Sequence, residues 1–404
     1  MSSAAFDLSG PGFRRSPHAT LREMQDLAPV YREPHLDAYC LTRYDDVVAL
    51  GRDPRFSARR ARRDRDRSPA DLWPAIAEIE SFLARTPPAA DPPEHGPLRH
   101  AMAQAFAASG GPTLEEQARE AMDRWLGEVA RGEVVDVLGD LALPLALRTL
   151  SRLLGVADRH VPRLSLWVRA IRAYAEARQA TPDNTAAARA AIRQMCAFLR
   201  ACPRQRDEEG GAAGLPSFCL LDLRDELDIQ TLAALATVLV TGGLAPPVFQ
   251  AGNAVLALLR DPDAMHRIRD GGEELLDTAV EECLRLEGAV LHVGRHTTAP
   301  VELHQTLIPA GAVVLGWLAA ANLDPTRFSE PDRFVPDRTP NRHVGFGFGA
   351  HTCLGARLAR AQLRALLAAL LPRRPSLACS WEELVYVPSF AFRGLRELPV
   401  QLGD

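Results

Sequence analysis

Residues 346 to 360 read FGFGAHTCLGARLAR, with Cys353 set among Gly347, Gly349 and Gly355 just ahead of an apolar run at helical spacing. Backbone N–H groups and the positive end of that helix would surround the sulfur and favour thiolate over thiol. Such a thiolate wants a metal or an electrophile. Three uses of the segment fail. A dinucleotide-binding loop needs a third glycine at 350 and a preceding strand, and "TPNRHV" is no strand. Zinc binding by His351 and Cys353 lacks a second ligand pair. A buried structural cysteine would not require three glycines nearby. An axial ligand to haem iron remains: glycines let the chain pass close under a flat macrocycle, and the sulfur pushes electron density onto the iron.

In this stretch the chain resembles the cytochromes P450, whose haem signature runs Phe-Gly-x-Gly-x-His-x-Cys-x-Gly. Phe346, Gly347, Gly349, His351, Cys353 and Gly355 match every fixed position. The resemblance implies haem b with Cys353 as its iron ligand. It also implies the family's fold, mainly α with small β-sheets, with the haem between a long distal helix and the proximal cysteine helix. Glu282 and Arg285 in "EECLRLEG" match the family's Glu-x-x-Arg pair, which with Arg333 of "PDRF" would lock the structure behind the haem. His95 and Arg99 in "DPPEHGPLRHAMAQAFA" stand where one haem propionate is clamped, and Arg295 and His351 would serve the other. "AAANLDPTRF" and "FAFRGLRELPVQL" resemble the soluble bacterial branch. The match omits the first dozen residues, expected to be flexible, and loops near 60 to 88 and 203 to 216, which shape substrate access in the family. Residues 1–404 are expected to form a single domain.

The distal helix departs from the pattern. Where the family has Ala-Gly-x-(Glu/Asp)-Thr-Thr, this chain has Gly242, Gly243, Leu244, Ala245, Pro246 and Pro247. The family's acid–alcohol pair relays protons during oxygen activation, and neither Ala245 nor Pro246 can donate one. Gly243, Ala245 and Pro246 therefore occupy catalytic positions without catalytic groups. Interior prolines cost about 3 kcal/mol or more each and deprive preceding carbonyls of helical partners. Two readings stand here: a widened kink that holds water or a substrate hydroxyl in place of the relay, or a kink tolerated because the chemistry needs no efficient proton delivery. Leu244, Ala245, Val290 and Phe390 are expected to line an apolar substrate pocket.

The elements around these positions read as mostly helical. "TLEEQAREAMDRWLGEVARG", with Thr113 as N-cap, and "TLSRLLGV" have apolar positions three and four apart. "PVYREP" and "AYCLTR" read as strands, "VELHQTLIPAGAVVLGWLAAANLDP" as a hairpin turning at Pro-Ala-Gly, and "PRQRDEEGGAAGLP" as an exposed loop. The charged run "SARRARRDRDRSPADLW" reads as a solvated loop or helix face. Between Asp228 and Arg260 no charge occurs, a length that would span a bilayer, but two prolines and three glycines interrupt it, so a buried core helix is expected.

Composition narrows the function. The net charge of -4 calls for neither nucleic acid nor an anionic membrane as partner. All 47 basic residues are Arg, which excludes Schiff-base chemistry and a P-loop lysine. Seven scattered cysteines without a CxxC pair fit reduced thiols in a cytoplasm, and the N-terminus lacks a signal peptide's apolar core. The resemblance implies a monooxygenase that oxidises a small organic substrate with O2 in a secondary-metabolite pathway, on an aromatic or carrier-tethered polyketide intermediate. Electrons would come from a separate ferredoxin and its reductase, with Arg357, Arg360 and Arg364 as a stripe that could meet an acidic partner. The alternatives are oxidative coupling or cyclisation without oxygen insertion, and a haem-binding accessory protein without oxygenase activity.

Overall fold

The structure, a computed structural model, describes residues 6–59, 69–109, 112–128, 132–177, 179–204 and 218–403. Two units divide the chain: Met1–Ser57, Glu115–Leu145 and Pro246–Asp404 form the first, and Ala58–Leu114 with Ala146–Ala245 form the second.

Strands belong to the first unit. In chain order they are β1 (Val30–Glu33), β2 (Ala38–Leu41), β3 (Phe56–Ser57), β4 (Val134–Asp136), β5 (His292–Thr297), β6 (Val301–Leu303), β7 (Thr306–Ile308), β8 (Val313–Trp317), β9 (Ser376–Leu377) and β10 (Pro399–Gln401). The main sheet has the order β1-β2-β8-β5-β3, with β2 and β8 parallel and the other pairs antiparallel. Leu41, Val47, Leu50, Phe56, Val301, Ile308 and Val314 pack into one core beside it, with Val290, Val293 and Phe348 against them. Each such fully buried side chain contributes about 1.5–3 kcal/mol. "PVYREP" and "AYCLTR" supply β1 and β2 as expected. The expected hairpin turns elsewhere: β6 pairs with β7 through His304 and Gln305, whose φ values of 48° and 63° are left-handed. Two left-handed residues make the mirror-image turn that suits strand twist, without the usual Asn-Gly cue. Pro309-Ala310-Gly311 instead carries the chain from β7 to β8 in the main sheet.

The cysteine helix, Ala356–Leu370, buries Ala361, Leu363, Leu366, Leu367 and Leu370 and packs on the helix Gly272–Leu286. Phe13, in the short helix Pro11–Arg15, meets Trp317 edge-on, and Leu8 is buried. In the second unit, helices Trp73–Leu83, Val161–Glu176, Pro182–Ala201 and Ile229–Gly243 enclose Ile79, Phe82, Leu164, Ile171, Met195, Leu199, Leu235 and Leu239. Thr181 and Asn184 form a reciprocal capping box on Pro182–Ala201. Thr113 is the second residue of the helix Pro112–Glu128 rather than its cap. Residues 60–68 of the charged segment and 205–216 of the expected surface loop lie outside the described residues.

Pro246 and Pro247 do not sit inside a helix. Ile229–Gly243 ends before Leu244, whose φ and ψ are -109° and -70°, and a new helix runs Ala245–Arg260. The prolines are its second and third residues. The first four N–H groups of any helix have no partner within it, so two missing donors cost nothing there, and a fixed φ suits the position. The chain also passes from the second unit to the first between Ala245 and Pro246. Further on, a Cβ at Gly252 would meet Leu138 Cδ1 at 2.7 Å, so the leucine would have to shift. The interrupted apolar run, long enough by composition to cross a membrane, buries Thr231–Thr237 and Gln250–Leu258 within the protein.

Pro247→Ala is expected to destabilise the protein by about 0.4–1 kcal/mol, through a freer unfolded chain. A proline interior to a continuous helix would instead give stabilisation of about 3 kcal/mol on replacement, so urea unfolding decides by the sign of the change.

Candidate active site

Cys353 is held by its own loop. Its amide donates to the Phe346 carbonyl at 2.9 Å, the Gly347 amide donates to Val344 at 2.8 Å, and Thr352 Oγ1 donates to the Gly349 carbonyl at 2.8 Å. The loop can close this tightly because Gly347 and Gly349 adopt φ of +71° and +65°, which side chains disfavour. At Gly349 a Cβ would also strike the Gly51 carbonyl oxygen at 2.6 Å. Gly355 then caps the helix Ala356–Leu370.

None of the seven cysteines is in a disulfide, and Cys353 is the exposed one. Burial pushes the Cys40 and Cys219 thiols up to about 12 and Cys283 higher still, so these remain protonated and poor ligands. Among the described residues no three His, Cys, Asp or Glu side chains gather at a metal position. A macrocyclic iron complex, which brings its other ligands with it, suits Cys353. The residues present fit haem.

Behind the loop stands Glu282, with no exposed side-chain surface. Arg285 grips it with Nε at 2.7 Å and Nη2 at 2.8 Å, the i, i+3 pair that the sequence places on one helix face. Burial would raise the Glu282 carboxyl, yet Arg285, the Val335 amide and Arg338 hold it below its ordinary value. Arg285 Nη1 also donates to the Asn322 and Pro331 carbonyls at 2.7 Å.

Arg333 does not complete this lock. Its side chain is exposed and pairs with Glu330, and only its carbonyl faces inward, accepting from Arg285 at 3.1 Å. Arg338 takes the place, with Nε at 3.0 Å from Glu282 Oε1, and Asn341 adds a donor at 3.0 Å. The sequence has two Pro-Asp-Arg triplets five residues apart, at 331–333 and 336–338, and the second is the buried one. That duplication was the available signal.

The remaining sequence-derived positions fall in both units. Arg295 is buried in β5, and His351 ends a short turn ahead of Cys353. Val290 bridges to Phe392, and Phe390 packs at 4.7 Å from His292 and 5.6 Å from Trp317. Burial pushes His292 down to about 4, leaving a neutral imidazole beside Phe390. In the second unit, His95 is buried at the start of the helix His95–Ser109, one turn before Arg99. Gly243 closes the upstream distal helix, Leu244 is the break, and Ala245 and Pro246 open the next helix. Of the arginine stripe, Arg360 is paired with Glu281 and Arg364 with Asp277, while Arg357 is exposed.

The cytochrome P450 family model matches residues 217–374. Cytochrome P450 monooxygenase PikC of Streptomyces venezuelae is 34% identical over 97% of this chain and 92% of its own. This chain belongs to the cytochrome P450 family. Mycinamicin IV hydroxylase/epoxidase of Micromonospora griseorubida is 33% identical, with 94% of each chain covered. P450BioI, solved in complex with an acyl carrier protein ligated to hexadec-9Z-enoic acid, superposes with a TM-score of 0.79 at 25% identity, covering 97% of this chain and 99% of its own. As a cytochrome P450 monooxygenase, the chain takes haem b, and its mainly helical fold with small sheets is that of the family.

Arg338→Ala is expected to cost this cytochrome P450 about 2–4 kcal/mol, because it strips a charge-assisted donor from a buried carboxylate. Arg333→Ala should stay within about 0.5 kcal/mol, as an exposed pair does. Chemical denaturation of the two variants in parallel checks the assignment.

Proposed function

We propose that the chain oxidises a small organic intermediate of a secondary-metabolite pathway, aromatic or carrier-tethered, with residues 1–404 acting as one catalytic domain in the cytoplasm. The observation that carries this reading is the loop that presents an exposed Cys353, backed by the buried Glu282 lock. Bound there, haem b supplies the redox chemistry that activates O2. Cys353 would hold the iron, Phe346, Gly347 and Gly355 would shape the loop that presents it, and Arg295 and His351 would serve a propionate. His95 and Arg99 keep the propionate role that the family resemblance gives them. Val290, Phe390 and Leu244 supply apolar contact for the substrate.

Proton supply separates this chain from the family pattern. Ala245 and Pro246 present no protic side chain, and Pro246 and Pro247 offer no N–H to the Gly242 and Gly243 carbonyls. Water held at those carbonyls, or a hydroxyl of the substrate itself, takes over the relay. The same observation favours a second reading, coupling or ring closure without oxygen insertion, in which substrate hydroxyls provide the protons. The structure in complex with an acyl carrier protein supports a tethered substrate. Electrons come from a separate ferredoxin and its reductase, with the exposed Arg357 available to an acidic partner.

Turnover with a surrogate ferredoxin pair under labelled O2, on phenolic polyketide and fatty-acyl probes offered free and as thioesters, tests this. One labelled oxygen per product is the expected result. A product that has lost two hydrogens and gained no label supports the coupling reading, and absence of any product supports an accessory role. Poor coupling of reducing equivalents to product in the native enzyme, restored fully by Ala245→Glu with Pro246→Thr, would defeat the relay by water or substrate.

A further inference from the structure

Resting on the haem-thiolate reading above, we propose that Glu281 lowers the electron affinity of the metal centre by neutralising Arg360, the cation stacked on the cysteine loop. Glu281 and Glu282 are adjacent on one helix and so face different directions. Glu282 serves the buried lock, whereas Glu281 reaches the cysteine helix. Arg360 Nε lies 2.6 Å from Glu281 Oε1 and Nη2 lies 2.8 Å from Oε2, a two-pronged grip. The Arg360 guanidinium sits 4.6 Å from the centroid of the Phe346 ring. The Phe346 carbonyl in turn accepts the Cys353 amide at 2.9 Å. A charge pair is thus fastened to the residue that closes the ligand loop.

His343 completes the arrangement. Its Nδ1 accepts the Gly345 amide at 3.1 Å, which places the ring proton on Nε2, 3.1 Å from Glu281 Oε2. His343 is thus a hydrogen-bond donor to Glu281, and Arg360 is the guanidinium opposite it. Arg364 is matched elsewhere, by Asp277 at 2.5 Å and Glu273 at 3.6 Å. Glu281 is thus the carboxylate on which the neutrality of Arg360 depends.

One-electron reduction of a ferric centre adds a negative charge, and an unpaired cation nearby favours that step. Glu281→Gln keeps a hydrogen-bonding side chain but frees the charge of Arg360. Arg360→Gln does the reverse, leaving Glu281 as an unmatched anion. The two substitutions should shift the midpoint potential in opposite directions, and the double variant should return toward the parent. Loosened packing cannot produce this pattern, because it would move both single variants the same way and the double variant furthest.

The experiment uses the haem-loaded full chain in a dye-mediated reductive titration, with the carbon monoxide spectrum of each reduced variant recorded alongside. Glu281→Gln is expected to raise the reduced-to-oxidised ratio at a fixed potential by roughly threefold or more, Arg360→Gln to lower it, and all variants to keep the red-shifted band. Shifts of one sign, or none with the band intact, overturn the proposal while leaving the haem-thiolate reading in place. Should Glu281→Gln fail to fold, the Arg360→Gln arm decides by its sign. A parent protein without the red-shifted band overturns the underlying reading and this proposal with it.

Discussion

A carboxylate with no exposed surface must gather donors from the protein around it, and Glu282 gathers them from Arg285, Val335, Arg338 and Asn341. Left unmatched, such a charge would cost several kcal/mol. The chain from 331 to 341 is consequently fixed, without regular secondary structure, by two side chains on the helix Gly272–Leu286, Glu282 and Arg285. That fixed segment delivers His343, Val344 and Phe346 to their places, and the loop closed by Phe346 and Cys353 follows directly. The ligand's position is thus inherited from a buried ion cluster rather than from the loop alone.

The other half of the active-site chemistry rests on backbone, not charge. Two prolines at the head of a new helix separate Ile229–Gly243 from Ala245–Arg260, with the break at Leu244. Downstream, Gln250 and Asn253 bind the carbonyls of Cys283, Glu287 and Arg393, so this second helix is anchored to the same helix that bears Glu282. Arg393 adds a buried pair with Glu287 and donates to the Arg14 carbonyl, tying in the N-terminal segment. The side chains that anchor the second helix lie beyond the break.

Much of this was legible in the sequence where residue type alone carries the constraint. Cys353 and its glycines are readable because left-handed turns and close backbone approach admit few other residues. Glu282 and Arg285 are readable from helical spacing. Arg333 misled, since two identical triplets differ only in which one the fold buries, and that depends on partners far away in the chain. The hairpin at His304 and Gln305 was hidden because neither residue signals a left-handed turn. The prolines announced an interruption but not its form: a kink and a fresh helix start look alike until the register of the hydrogen bonds is known. Glu281 carried no signal and Arg360 read as part of a partner-facing stripe, and their pairing needed three dimensions.

Ligation of iron by the Cys353 sulfur is the claim on which the functional account turns. Its most direct measurement is the absorption spectrum of the purified, reduced protein under carbon monoxide, taken for the native chain, Cys353→Ala and, as a control, Cys379→Ala. A strongly red-shifted Soret band in the native and Cys379→Ala proteins, lost in Cys353→Ala, is the expected result. A native protein without that band, or a Cys353→Ala protein that keeps it, would contradict the assignment.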